Sequence, residues 1–203
     1  MGNPSGWARL RGPLVASASG AVISWFAFVA HREVPIFDWF DLGVHEAGHL
    51  AAAFLPRLAM FMAGSVAQVA FPAAMALYFA LRRGDLAAAG FCTAWAGTSA
   101  WDVSLYAGDA VKQSLPLVGG GEHDWAYILG SNGFDALDRT AAVAGFIEFS
   151  GAVLAALGIG LALSAAFPKR RKATIAPVPS TTVHPTEIDP WIAAASLPFH
   201  HEN

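Results

Sequence analysis

His45-Glu46-Ala47-Gly48-His49 matches the H-E-x-x-H pattern. Residues four apart on a helix share a face, so His45 and His49 can present two imidazoles to one ion. Glu46 sits one step round, within reach of a metal-bound water without ligating the metal. Zinc lowers the pKa of such a water towards 7, and a carboxylate can take its proton and pass it to a leaving amine. Chance gives this match in roughly 1 of 100 shuffled sequences of the same composition, or fewer. The competing explanation is a pair of interfacial histidines hydrogen-bonded within a helix bundle. Burying two imidazoles and a carboxylate in an apolar helix is costly unless something satisfies them. One zinc ion satisfies all three.

Two histidines do not complete a catalytic zinc site, which usually has three protein ligands and a water. The stretch SLYAGDAVKQSLPLVGGGEHDWAYIL offers the rest. His123 and Asp124 follow Gly119-Gly120-Gly121, a hinge that can fold the loop back. His123 is the first choice for third ligand. Asp109 is the next, as ligand or as a partner that orients a histidine. Asp124, Asp102, Tyr106, Gln68 and Glu148 are candidates for the surrounding hydrogen bonds, Asp102 because an ionisable residue inside an apolar run is functional by default. The bland alternatives are a helix-end Asp109 facing water, a solvated loop at His123 and Asp124, and a Gln68 that merely bridges helices. Ala47 and Gly48 are small enough to let another helix approach closely.

These residues need a scaffold, and composition indicates which kind. The chain has 203 residues, 55% of them hydrophobic and 13% charged, where soluble domains average about 25% charged. This predicts an all-α integral membrane protein. Four apolar runs are long enough to span a bilayer core: roughly 14–30, 58–81, 86–107 and 141–167. The segment 41–55 is shorter and begins with an acidic residue, which predicts a short helix tucked against the bundle or partly re-entrant. Run 14–30 follows Arg9 and Arg11 like a signal peptide, but Phe28-Val29-Ala30 is a poor cleavage site, so a retained helix is expected.

Charge orients the runs. Arg9 and Arg11, Arg82 and Arg83, and Lys169 to Lys172 all fall on one side and by the positive-inside rule are cytoplasmic. Both termini are then inside, in an inner (cell) membrane. The HEAGH segment and the Gly108–Arg139 loop share the outer face. Residues 1–172 form the membrane domain. Residues 173–203, rich in Pro, Ser and Thr, read as a disordered cytoplasmic tail, whose His200-His201 pair is more simply solvated than metal-bound. The net charge of -3 and the lack of a basic, aromatic-interleaved patch offer nothing to nucleic acid. The single cysteine, Cys92, excludes an intramolecular disulfide and a Cys-rich zinc site; it reads as a small packed or lipid-facing residue.

The HEAGH core on an apolar segment resembles the zincin metallopeptidases, most nearly the membrane-embedded site-2 protease group. The resemblance is at the level of the motif and covers about a tenth of the chain. It implies two histidine ligands at His45 and His49 and a catalytic glutamate at Glu46. That group takes its third ligand from an N-x-x-P-x-x-x-L-D-G pattern. Here Leu137-Asp138-Arg139 keeps the Leu-Asp without the proline or the final glycine. The wider layout resembles a group of small bacterial HEAGH membrane proteins, through Gly64-Ser65 with Gln68, Tyr106 with Asp109-Ala110, and Gly119 to Trp125. This second resemblance implies a shared site and no particular substrate.

The leading expectation is a membrane-embedded zinc metallopeptidase acting on a peptide or membrane-protein substrate within the lipid bilayer, with one zinc ion. A second is a non-catalytic protein in which metal staples the outer loop to the bundle. A third, a metal or proton carrier using Asp102, Asp109 and Glu148, is disfavoured because the acids lie only in the outer half.

Overall fold

Arg82-Arg83-Gly84-Asp85 shows how local sequence builds this fold. Helix α3 (Arg57–Tyr78) continues through a π-helical turn, Phe79–Arg83, and stops at Gly84, which takes a left-handed φ of 63°. Asp85 then accepts from the backbone N–H groups of Ala87 and Ala88 at 3.1 and 3.0 Å, capping the start of α4 (Leu86–Gly108). The result is an antiparallel hairpin. The computed structural model describes residues 6–34, 36–117 and 121–167; the tail 173–203, the basic run 169–172 and His200-His201 lie outside them.

Among the described residues every regular element is helical: α1 (Gly6–Phe28), α2 (Phe37–Ala51), α3, α4, α5 (Asp124–Leu129) and α6 (Thr140–Ser164), with a 3-10 turn at Leu137–Arg139 before α6. The all-α expectation holds, and the four apolar runs correspond to α1, α3, α4 and α6. Two stretches, Arg57–Arg83 and Leu137–Ser164, are long and apolar enough to cross a membrane, and only 28% and 22% of their most apolar windows are buried. A core helix of a soluble protein would be mostly covered. Helices α1 and α4 fall short of the same measure. Helix α4 is the central helix, wrapped by α1, α3 and α6 and buried on nearly all sides, so it carries Ser, Thr, Trp and Asp102 where a lipid-facing helix would not.

Helices α4 and α6 pack antiparallel with their backbones in contact. A Cβ on Gly97 would lie 2.5 Å from the Gly151 carbonyl oxygen and 2.6 Å from the Ala155 nitrogen. Gly90 and Gly158 close the same seam one level away. Helix α1 runs beside both, with Gly20 against Ala94 and Ile159. Ile23 and Ala27 share a core with Trp95 and Trp101, so α1 is parallel to α4. Arg9 and Arg11 therefore lie toward the end that carries Arg82 and Arg83. Cys92 is buried in α4.

Helix α2 lies along the bundle rather than across its end. It starts with Phe37 against Phe91 and Trp95, level with the middle of α4, and ends beside the start of α3. Between α1 and α2 the chain turns back through His31 and Ile36, both at positive φ (48° and 75°). Asp41 anchors the helix at depth: the Trp95 indole N–H donates to it at 3.0 Å and the Ser99 hydroxyl at 2.6 Å.

Candidate metal centre

The two histidines come from one face of α2, as their spacing requires. Gly48, on that face, lets α3 approach: a Cβ there would meet the Ala63 carbonyl oxygen at 2.6 Å. Ala47 instead faces outward. The imidazoles then meet Gly64 of α3, where a Cβ would sit 2.5 Å from His49 Nε2 and 2.6 Å from His45 Nε2. The missing side chain leaves a space bounded by both rings.

Asp124 closes that space. Its Oδ2 lies 2.9 Å from His45 Nε2 and 3.0 Å from His49 Nε2. One ligand atom from each of the three residues lies within 4.8 Å of the others. Both imidazoles are held from behind. His49 Nδ1 donates to the Met60 carbonyl at 2.8 Å, and His45 Nδ1 contacts Gln68 Oε1 at 3.0 Å. A carbonyl oxygen only accepts, so each Nδ1 carries a proton and each ring turns its other nitrogen, Nε2, inward. Two imidazole nitrogens and a carboxylate oxygen therefore converge, and protons or a cation must sit between them. His45, His49 and Asp124 together could hold a metal ion.

The loop that delivers Asp124 is fastened at several points. The Asp124 backbone N–H donates to the Tyr106 hydroxyl at 3.2 Å. The Trp125 indole donates to Ser65 at 3.1 Å. Arg57 pairs with Glu122 at 2.7 Å on the exposed rim and lies over the Phe61 and Tyr127 rings. Neither the Arg57–Glu122 pair nor the deep anchor at Asp41 was expected from sequence. Both are side-chain contacts between residues far apart in the chain, with no local pattern to announce them.

The structure gives His123 and Asp109 work other than ligation. His123 is fully buried, its Nδ1 accepts from the Ala126 backbone N–H at 3.2 Å, and its ring lies on Tyr106 with centroids 4.3 Å apart. Its Nε2 is 3.5 Å from Asp109 Oδ2, beyond hydrogen-bond range, and has no partner among the described residues. Asp109 binds the chain that follows it, accepting from the Ser114 N–H and hydroxyl at 3.0 and 2.7 Å and from the Leu115 N–H at 2.9 Å. Burial pushes its carboxyl up, but these donors and nearby His123 outweigh burial and bring the pKa down to about 2. The carboxylate that converges on the histidines is thus Asp124, where the sequence favoured His123 or Asp109. Consecutive residues entering a helix point in different directions, and here His123 points back as the cap of α5 while Asp124 points to α2.

Of the remaining candidates, Gln68, Asp102 and Tyr106 join the cluster. Gln68 Nε2 donates to Asp102 Oδ2 at 2.6 Å. Glu46 is half-buried and makes no hydrogen bond among the described residues, so its carboxylate is uncommitted. Glu148 is on α6, which packs on α4 and α1 and does not bring it to the cluster. Asp138 lies exposed in the 3-10 turn, away from the histidines. No protein-family model, curated protein or solved structure matches the chain, so the chemistry of the site rests on its own geometry.

Proposed function

We propose that this is a four-span membrane zinc hydrolase, a peptidase, with His45, His49 and Asp124 holding one zinc ion and Glu46 as the base. The observation that carries the metal is the convergence of two backed Nε2 atoms on one carboxylate oxygen, beside a glycine that keeps the space clear. Zinc held there supplies Lewis acidity and brings the pKa of water towards neutrality. Glu46, next to His45 and without a hydrogen-bond partner among the described residues, accepts a proton at its carboxylate and returns it to the leaving amine. The apolar, largely uncovered faces of α3 and α6 support a bilayer setting. In that setting α2 is re-entrant, starting at the depth of Trp95 and carrying His49 to the outer end. The arginines at the opposite end then face the cytoplasm.

A non-catalytic staple is the second reading, favoured by the number of contacts that fasten the Asp124 loop. Glu46→Gln separates the two. In detergent-purified protein, wild type is expected to carry about one zinc per chain and to cleave an unstructured peptide panel, while Glu46→Gln keeps the zinc and loses cleavage by roughly 100-fold or more. Full cleavage by Glu46→Gln removes its role as base. Zinc-loaded wild type without hydrolysis favours the staple.

A further inference from the structure

The two imidazoles are backed differently. His49 leans on the Met60 main-chain carbonyl, whose acceptor cannot rotate away. His45 leans on Gln68, whose amide presents an oxygen in one orientation and an NH2 group in the other. In the flipped orientation the NH2 would face His45 Nδ1, which would then accept. The ring proton would move to Nε2 and the inward lone pair would be lost. Asp102 stands behind Gln68, with its Oδ2 2.6 Å from Gln68 Nε2. By accepting from that nitrogen, Asp102 keeps the NH2 toward itself and the amide oxygen toward His45.

We propose that Asp102 is a positioning residue for the metal centre: through Gln68 it holds His45 as the Nδ1–H tautomer and so keeps its Nε2 available to metal. The relay runs across three helices, from Asp102 on α4 to Gln68 on α3 to His45 on α2, and neither Asp102 nor Gln68 belongs to the His45–His49–Asp124 group. It explains a half-buried carboxylate in the central helix that lies outside the His45–His49–Asp124 group. It rests on the metal reading above, and the test separates the two.

Zinc affinity is measured in detergent by competition with a chromophoric chelator. The His45 tautomer is read on the metal-free protein from imidazole 15N shifts, assigned with a His45→Gln control. Gln68→Met is expected to weaken zinc 10–100-fold, the usual cost of losing such a partner, and Asp102→Leu to weaken it by a smaller factor while mixing the tautomers. Gln68→Glu alone sets two carboxylates against each other. The exchange Gln68→Glu with Asp102→Asn restores an acceptor for His45 and a donor behind it, and is expected to recover most of the wild-type affinity. A merely structural role for the pair would not produce this recovery. Wild-type affinity and tautomer in both Gln68→Met and Asp102→Leu overturn the relay, as does an exchange variant no better than Gln68→Glu. If wild type binds no zinc, the metal reading fails, and the imidazole shifts of the same variants still decide the relay.

Discussion

The α4–α6 seam and the α2–α3 contact both depend on glycine, for opposite ends. In the seam, Gly97 and Gly151 bring two backbones together, and the space a side chain would fill is filled by the other helix. At the α2–α3 contact, Gly64 faces the two Nε2 atoms, and the space it leaves is bordered by ligand atoms. Dispersion between close backbones stabilises the first. The second gathers polar groups at a cost in burial that only a cation, or protons, offsets. The same residue type thus serves packing in one place and an opening for chemistry in the other; the atoms opposite it decide which.

The sharpest way to break this comparison is a paired substitution. Gly64→Ala is expected to lower zinc affinity by roughly 100-fold or more while the chain stays folded, since its methyl group would meet the Nε2 atoms of both histidines. Gly97→Ala is expected to do the reverse, costing about 3 kcal/mol of stability because backbone atoms cannot step aside, with zinc stoichiometry kept in the folded fraction. Chelator competition and denaturant unfolding in the same detergent read both. If Gly64→Ala costs only stability, the opening is ordinary packing.

A second pair sharpens the assignment of the third ligand. Asp124→Asn is expected to weaken zinc roughly 10–100-fold. His123→Gln is expected to keep one zinc per chain and to speed proteolysis of the 109–129 loop. The opposite pattern would return the ligand role to His123.

The smallest effect concerns Asp109. Its folded pKa of about 2 lies below the ordinary value of 3.8. Its contribution to stability is therefore present above about pH 4 and is lost as pH falls through 2. Asp109→Asn is expected to lower the Tm at pH 7 and to leave it nearly unchanged at pH 2. An equal drop at both would mean that the carboxylate charge does not hold the loop.

Much of the site was legible in the sequence. The i, i+4 spacing of His45 and His49 gave their shared face, and the Gly64-Ser65-x-x-Gln68 stretch supplies the space, the docking point for Trp125 and the support for His45, all from one face of α3. Charge bias alone paired the HEAGH segment with the 108–139 loop at one end, and in the structure Asp124 of that loop reaches both histidines. The choice among His123, Asp124 and Asp109 was not legible. It turns on where α5 begins, and moving that start by one residue would exchange the two neighbouring side chains. The depth of α2 was also hidden, because it is set by Asp41 meeting Trp95 and Ser99, residues more than fifty positions away.

The sequence by itself determined that the chain is helical and apolar, that two imidazoles and a carboxylate share one short helix, and which loop lies nearest to them. Those properties follow from periodicity, composition and charge, which act locally and need no knowledge of the partner helix. Only the tertiary structure decided that Asp124 closes the site, that Gly64 keeps it open and that Asp102 reaches it through Gln68. Each of those depends on the direction of a single side chain across a helix interface, and that direction is set by packing between elements far apart in the chain.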